Sequence, residues 1–409
     1  MKKRSRTKLS EELSILKRLR QCDFTVLLLV VILVIFGVVM VFSASYYNSI
    51  NYSGTPYTYL KKQLFFALTG AALMYATSVV DYHLYRRFDW ILLILSLVLL
   101  VLLFTPLGVT TNGATRWLRV GPLSIMPGEI AKVAAILFTA SFFADEPNRV
   151  LSLKRGVLPM AGLMALLGIL IIKQPNLSTA LTVVGIIAGM MFLSGLQWRY
   201  LIGAFGLGAG GLLILSQTGT YWGDRLTSFT DPFKDAQGDG FQAVQSLLAL
   251  GTGGLFGLGL GKSVQKNLYL PEPQNDFILA IIGEELGLVG VLILMLVFVL
   301  LVWRCSMVAI NAPDQFGMLL AGGVALMIGI QVVLNVAVVT SSMPPTGIAL
   351  PFVSYGGNAL WIFMGMAGVV LNISRQSRTL NPEQKKKKQN RVQRVRERER
   401  ERRERESLI

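Results

Sequence analysis

The sequence predicts an all-α polytopic membrane protein with about ten transmembrane helices. Of its 409 residues, 53% are hydrophobic and only 15% are charged, against roughly 25% charged residues in a typical soluble domain. Many apolar stretches of about 20 residues are long enough to cross a ~30 Å hydrocarbon core. An outer-membrane barrel would instead show alternating segments of about 10 residues. These observations exclude a soluble enzyme, a disordered protein and a disulfide-stapled secreted domain.

Ten apolar segments separated by polar or charged loops are the predicted spans. The loop between the seventh and eighth, residues 218–275, is unusually long and has apolar content of its own, notably at 245–251. Long loops of this kind are more often functional than passive, and we expect short helices in it at the outer membrane face. The predicted spans are 24–44, 63–80, 89–106, 129–144, 156–172, 179–194, 200–217, 276–303, 315–340 and 347–373.

The distribution of Lys and Arg predicts the orientation of the chain. The two tails hold 22 of these residues, the loops on the same side add seven, and the opposite side has nine. Because positive residues stay on the cytoplasmic side, both termini are predicted to be cytoplasmic. The chain therefore divides into a basic N-terminal tail (1–23), a transmembrane domain (24–373) that includes the extracytoplasmic loop 218–275, and a charged C-terminal tail (374–409).

Other chemical classes find little support in the sequence. The charge in the tails comes without the aromatic or glycine pattern of a nucleic-acid interface, so nucleic acid is not an expected partner. Cys22, Cys305 and the single histidine, His83, are too few for a zinc site or a Ser–His–Asp triad. No metal-binding residues are predicted.

Charged residues inside a membrane span usually face a cavity or a partner. Glu129 and Lys132 lie three residues apart in the fourth span and therefore share one helix face. Two interpretations are open at this point. The two side chains form a simple ion pair that neutralises both, or they form a polar wall in a substrate cavity.

A second charged cluster lies where the eighth span begins. Pro271 and Pro273 prevent a helix before residue 274, and Asn275 is a predicted cap. Asp276 is then expected in the first helical turn, with Glu284 about 12 Å deeper. Asp276 either complements the helix dipole, which would lower its pKa, or acts as a carboxylate base at the mouth of a cavity.

Two glycine-containing segments complete the candidates. The run 251–263 is rich in glycine but is not a phosphate loop, because Phe256 occupies the position of the first required glycine. Its backbone could instead approach a ligand. The segment 351–357 contains Pro351 and a glycine pair, which indicates a broken helix beside a cavity or small-residue helix packing.

These motifs together resemble the SEDS family of bacterial cell-wall proteins (shape, elongation, division and sporulation). The resemblance covers the membrane region in order, with departures at Met126, Gly128, Asn176, Ser178 and Gln274. The end of the chain's membrane region, 371–375, resembles the division and sporulation branch more than the rod-shape branch. The matching segments are Met40-Val-Phe-Ser-Ala-Ser45, Asn112-Gly-Ala-Thr-Arg-Trp117, Pro127-Gly-Glu-Ile-Ala-Lys132, Gln174-Pro175, Leu270-Pro-Glu272, Asp276-Phe-Ile278, Gly283-Glu-Glu-Leu-Gly287 and Leu350-Pro-Phe-Val-Ser-Tyr-Gly-Gly357.

The resemblance implies a peptidoglycan glycosyltransferase that polymerises lipid II at the outer face of the bacterial cytoplasmic membrane. The attacking sugar hydroxyl must lose a proton, and Asp276 matches the family's essential acid. The pyrophosphate leaving group needs cations, for which a divalent ion such as Mg²⁺ or Mn²⁺ is a further candidate. The predicted substrate-binding residues are Arg116, Arg119, Glu129, Lys132, Glu272, Glu284 and Ser354.

The resemblance also implies partners and a location. A class B penicillin-binding protein transpeptidase is the expected partner, together with other divisome proteins at the division septum. Its predicted contact is the outward face of the eighth and ninth spans, around Leu292, Met295, Val299 and Met318. A lipid II flippase, a pure scaffold and a role in rod-shape elongation are the alternatives.

Overall fold

A computed structural model of the chain describes residues 22–200, 232–238 and 240–379, except 112, 113, 122 and 345, and the isolated positions 203, 206 and 210. The described residues are mainly helical, which confirms the predicted fold class. Their α-helices are α1 (Phe24–Ser53), α2 (Thr58–Val79), α3 (Asp89–Leu102), α4 (Pro127–Asp145), α5 (Leu158–Ile172), α6 (Leu177–Leu193), α7 (Phe241–Gly253), α8 (Ile278–Ile310), α9 (Gln315–Val339) and α10 (Gly357–Thr379).

Six helical segments of the described chain are long and apolar enough to cross a membrane by themselves. They contain α1, α4, α5, α8, α9 and α10, and α6 is apolar but shorter. Nine of the ten predicted spans coincide with described helices, while the predicted span 200–217 lies almost entirely outside the described residues. The count of ten spans therefore stays a prediction, and so does the cytoplasmic location of the two tails.

A small antiparallel sheet interrupts the helical pattern and was not predicted. Its strands are β1 (Gly108–Thr111), β2 (Ala114–Val120) and β3 (Leu123–Ile125), paired in the order β1-β2-β3. The sheet fills the predicted outer loop between α3 and α4. Because successive side chains of a strand point to opposite faces, the pairing of β2 determines which residues of 114–117 turn toward the helices.

Helix α9 lies at the centre of the described bundle, where it packs against α4, α6 and α8. Helix α10 packs along α2, and α8 also contacts α1 and α7. Between α9 and α10 the chain is non-helical, so the predicted break near Pro351 is present: α10 begins only at Gly357. This non-helical segment, residues 346–356, returns toward the end of the bundle that carries the sheet.

Helix α8 is broken at Gly287, whose φ of 69° and ψ of −173° are not helical. The break frees backbone groups that cannot remain unpaired inside a membrane protein. The backbone of the glycine run 251–263 approaches α8 and forms hydrogen bonds with these groups. This is a different role from the approach to a ligand considered from the sequence. The hydrogen bonds run from Leu258 N–H to Glu284 O and Gly259 N–H to Glu285 O (2.9 Å each), and from Leu288 N–H to Gly254 O (2.9 Å) and Val289 N–H to Leu255 O (3.1 Å).

Candidate functional site

A cavity of about 340 Å³ opens at the end of the bundle that carries the three-stranded sheet. Its walls come from β2, the start of α4, the segment before α8 and the non-helical segment 346–356. Five of the residues predicted from the sequence line it: Arg116, Glu129, Lys132, Glu272 and Asp276. Residues that are up to 160 positions apart in the chain therefore meet at one site.

Asp276 lies immediately before α8 rather than in its first turn. The helix begins at Ile278 with Phe277 at the N-cap, and no side chain caps it, so the predicted capping role of Asn275 is wrong. Asn335 holds the backbone of Asp276 in place, because its Nδ2 donates to Asp276 O at 2.9 Å and to Ile348 O at 2.7 Å. The carboxylate of Asp276 is thus positioned by α9 and by the segment 346–356.

The environment of Asp276 raises the pKa of its carboxyl group above the usual value of an aspartate. Burial raises the pKa of Asp276 to about 6, the nearby positive charge of Arg116 opposes this rise, and the negative charge of Glu272 adds to it. This is the reverse of the lowered pKa that a helix-dipole role would give. A carboxylate with a pKa near neutrality suits proton transfer at physiological pH.

The side chains of Arg116 and Asp276 both lie against Gly347, which leaves no room for a side chain at position 347. Gly347 has a φ of +69°, and a Cβ there would lie 2.6 Å from Arg116 Nη1 and 3.0 Å from Asp276 Oδ2. Arg116 Nη2 also donates to Pro175 O at 2.6 Å. The next residue, Asn176, departs from the family pattern and serves as the N-cap of α6, since its Oδ1 accepts from Thr179 N–H.

Glu129 and Lys132 form the predicted ion pair and also line the cavity. Lys132 Nζ donates to Glu129 Oε1 at 2.6 Å and to Gln331 Oε1 at 2.7 Å. The two charged residues are only 5% and 1% exposed, and they form part of the cavity wall. Glu129 Oε2 is buried and makes no hydrogen bond within the described part of the chain, so it remains available as an acceptor.

Glu272 stands at the cavity mouth as an exposed residue of the segment before α8. Its Oε2 accepts from Gln274 Nε2 and Asn275 Nδ2 at 2.9 Å each. Partial burial raises the pKa of Glu272. Among the described residues no group of three His, Cys, Asp or Glu side chains is arranged to hold a metal ion.

Three predicted site residues do not reach the cavity. Arg119 is exposed on the face of β2 opposite to Arg116 and the buried Leu118, as strand alternation requires. Glu284 is fully buried, and its carboxylate accepts from the Ser263 hydroxyl and from Val264 N–H at 2.9 Å. Ser354 Oγ accepts from Leu350 N–H at 2.8 Å. In these positions Glu284 and Ser354 stabilise the backbone around the site, and their role in substrate binding, like that of Arg119, stays a prediction.

Several cavity or supporting residues were not identified from the sequence. Gln331 and Asn335 are polar residues buried within the apolar helix α9. Polar groups inside a span are a signal of function or of a specific partner, and that signal was present in the sequence. Gly347 gave no such signal, because only the close approach of Arg116 and Asp276 reveals its importance.

Fold and site together define a class: a polytopic helical membrane protein with a charged cavity at one end of its bundle. The chain belongs to the FtsW, RodA and SpoVE family of cell cycle proteins, whose family model matches residues 23–379. This confirms the resemblance seen in the sequence.

Individual relatives are similar over nearly their whole length. The Stage V sporulation protein E of Bacillus subtilis is 40% identical over 357 residues, which cover 87% of this chain and 98% of that protein. The "Probable peptidoglycan glycosyltransferase FtsW" of Trichlorobacter lovleyi is 42% identical, with 87% and 94% of the two chains covered.

Solved structures give the same fold. A chain from a structure of a peptidoglycan synthase complex that coordinates polymerization and crosslinking matches with a TM-score of 0.72 and 28% identity, covering 88% of this chain and 99% of that one. The rod shape determining protein RodA of Thermus thermophilus matches with a TM-score of 0.64 and 27% identity, covering 88% and 98%. The protein is therefore a multi-pass membrane protein of this family.

Proposed function

We propose that the protein is a peptidoglycan glycosyltransferase that polymerises lipid II into glycan strands. The observation that carries this proposal is the cavity that Asp276, with its raised pKa, lines together with the cations Arg116 and Lys132. Proton removal and stabilisation of a pyrophosphate are the two chemical demands of the reaction. The names of the relatives, several of which are peptidoglycan glycosyltransferases, support the same assignment.

In the proposed reaction Asp276 is the general base. The 4-hydroxyl oxygen of the acceptor sugar attacks the anomeric carbon of the donor, and its proton passes to the Asp276 carboxylate. The bond between the anomeric carbon and the pyrophosphate oxygen breaks, and its electron pair leaves with the lipid pyrophosphate. Arg116 and Lys132 stabilise the negative charge that develops there.

A divalent cation, Mg²⁺ or Mn²⁺, fits this site only together with the substrate. Magnesium is usually bound through one or two carboxylates plus substrate phosphates, and the described residues offer no complete protein site. The exposed carboxylate of Glu272 at the cavity mouth is the residue proposed to hold it. When bound, the cation would supply charge neutralisation at the pyrophosphate.

The proposed partner is a class B penicillin-binding protein transpeptidase that crosslinks the new strands. The similarity to a chain of a peptidoglycan synthase complex supports this partner. The outward face of α8 is the proposed contact, because Leu292 and Val299 are exposed and apolar there. We further propose both termini in the cytoplasm, action at the division septum and, from the sporulation and FtsW relatives, the division-type branch.

A lipid II flippase is less well supported. Transporters of known fold usually bind substrate near the bilayer midplane. Here Lys132 lies only five residues after the start of α4, and Asp276 precedes α8 altogether. The charged groups therefore gather near one membrane surface.

Polymerisation of lipid II by purified protein in detergent tests the proposal, since flipping has no meaning in a micelle. The assay is run with the protein alone and with the class B partner. Glycan strands that depend on this protein are the expected product. Absence of strands under both conditions, from well-folded protein, would contradict the proposed activity.

A further inference from the structure

The glycine hairpin, residues 254–261, presents large apolar side chains at the surface. Phe256 is 80% exposed, Leu255 is 60% exposed and Leu260 is 58% exposed. Exposed apolar side chains gathered in one short loop mark an interaction surface. Gly254, Gly257, Gly259 and Gly261 all have positive φ.

The glycine hairpin is fixed to the bundle by two independent sets of contacts. Its backbone pairs with α8 on both sides of the break at Gly287. Directly after it, Lys266 Nζ donates to Glu285 Oε1 at 2.8 Å and to Ser43 Oγ at 3.1 Å, and both charged residues are at most 3% exposed. The exposed side chains are therefore held at a defined level along α8.

The length of α8 places that level near a membrane boundary. Arg304, which pairs with Asp23 at the start of α1, marks the polar boundary at the other end of α8. Gly287 and Arg304 are 17 residues apart, which corresponds to about 26 Å at ~1.5 Å per residue. The hydrocarbon core is about 30 Å thick, so a span that begins at Arg304 ends at about the level of the hairpin.

The apolar surface of the hairpin is continuous with the exposed apolar face of α8, which is the proposed contact for the transpeptidase and faces lipid when no partner is bound. Leu255 O accepts from Val289 N–H at 3.1 Å, which places the two residues side by side. Val289 is itself exposed and begins an apolar stripe that continues down α8 through Leu292 and Leu296. When the protein is alone in a membrane, both surfaces must therefore be covered by the same medium, either lipid or water.

We propose that the glycine hairpin is a lipid anchor, in which Leu255, Phe256 and Leu260 insert into the nearer leaflet of the bilayer. The anchor is bonded to the helix break at Gly287, and the first turns of α8 connect this break to Asp276, so the anchor sets the depth of Asp276 relative to the membrane surface. The lipid contact itself does not depend on the proposed function. Only its consequence, that Asp276 meets a lipid-borne pyrophosphate at a fixed depth, rests on the glycosyltransferase proposal.

Collision measurements on a spin label test the anchor in the full-length protein. Phe256→Cys and, separately, Leu260→Cys are made in a Cys22→Ser, Cys305→Ser background, labelled with a nitroxide and reconstituted into phosphatidylethanolamine–phosphatidylglycerol vesicles without any partner. Oxygen concentrates in the bilayer, whereas a nickel chelate stays in water. Val299→Cys on the exposed face of α8 serves as the lipid control, and Ser124→Cys, at an exposed position of β3 away from the hairpin, serves as the aqueous control.

At positions 256 and 260 the oxygen collision rate is expected to exceed that of the nickel chelate several-fold, as at position 299. A nickel rate that dominates at both positions, with position 299 still lipid-like, would overturn the proposal and leave the surface for a protein partner. These collision rates do not depend on whether the protein is a glycosyltransferase, so the lipid-anchor proposal and the glycosyltransferase proposal can be refuted independently.

Discussion

Replacing Lys132 by Met is expected to destabilise the protein by about 3–5 kcal/mol, the usual cost of removing one partner from a buried ion pair. Glu129 is 5% exposed and Lys132 only 1%, so water cannot take the place of the lost ammonium group. The variant would also lose the 2.7 Å hydrogen bond to Gln331. Glu129→Gln is expected to cost less, because an amide oxygen can still accept from Lys132.

The double variant Glu129→Gln, Lys132→Met removes both charges and is expected to recover most of the lost stability, since no uncompensated charge remains. Its activity separates the two roles of Lys132. If Lys132 stabilises the pyrophosphate, polymerisation stays at least about 10²-fold below the parent rate. Thermal unfolding in detergent and lipid II polymerisation are measured for all four proteins. A double variant that polymerises at the parent rate would show that Lys132 only neutralises Glu129, and an unaltered stability of Lys132→Met would refute the buried-pair argument itself.

Other features of the site predict separate outcomes. The polymerisation rate is expected to fall about tenfold per pH unit below pH 6, because a general base must be deprotonated and the pKa of Asp276 is about 6. Glu272→Gln should shift this acidic limb of the pH–rate profile to lower pH, because the charge of Glu272 raises the pKa of Asp276. An acidic limb that does not shift would belong to another group. Gly347→Ala should reduce the rate at least about tenfold, because the new methyl group would lie 2.6 Å from Arg116 Nη1 and because the φ of +69° at this position costs a non-glycine residue about 1–2 kcal/mol. Gly251→Ala on α7, where a methyl group meets open space, is the control. Equal polymerisation rates for the two variants would contradict the argument. Leu292→Asn on the exposed face of α8 should lower polymerisation only when the transpeptidase is present, and equal loss without it would indicate a folding defect.

The membrane helices were largely predictable, because their apolar runs are long and the bilayer fixes the required length. The Glu129–Lys132 pair was also predictable, since a spacing of three places two side chains on one helix face. The three-stranded sheet at 108–125 was not. Its strands of three to seven residues carry little periodic signal and depend on packing against the bundle.

Side-chain destinations were the least predictable part of the site. Arg116 and Arg119 belong to the same short segment, and only the strand geometry of β2 sends one to the cavity and the other to the surface. Glu284 carries the charge of a site residue, but its carboxylate pairs with Ser263 and Val264. These hydrogen bonds form because the glycine run packs against α8 in the folded chain. The spacing of residues along the sequence does not predict that contact.

The most direct test of the central claim is polymerisation of lipid II by purified Asp276→Asn protein beside the parent protein. The substitution keeps the size and much of the hydrogen bonding of Asp276 but removes its basicity. The account predicts a loss of roughly 10²–10⁴-fold or more, with unchanged expression, thermal stability and partner binding. An Asp276→Asn protein that polymerises lipid II at nearly the parent rate would contradict the assignment of Asp276 as the general base.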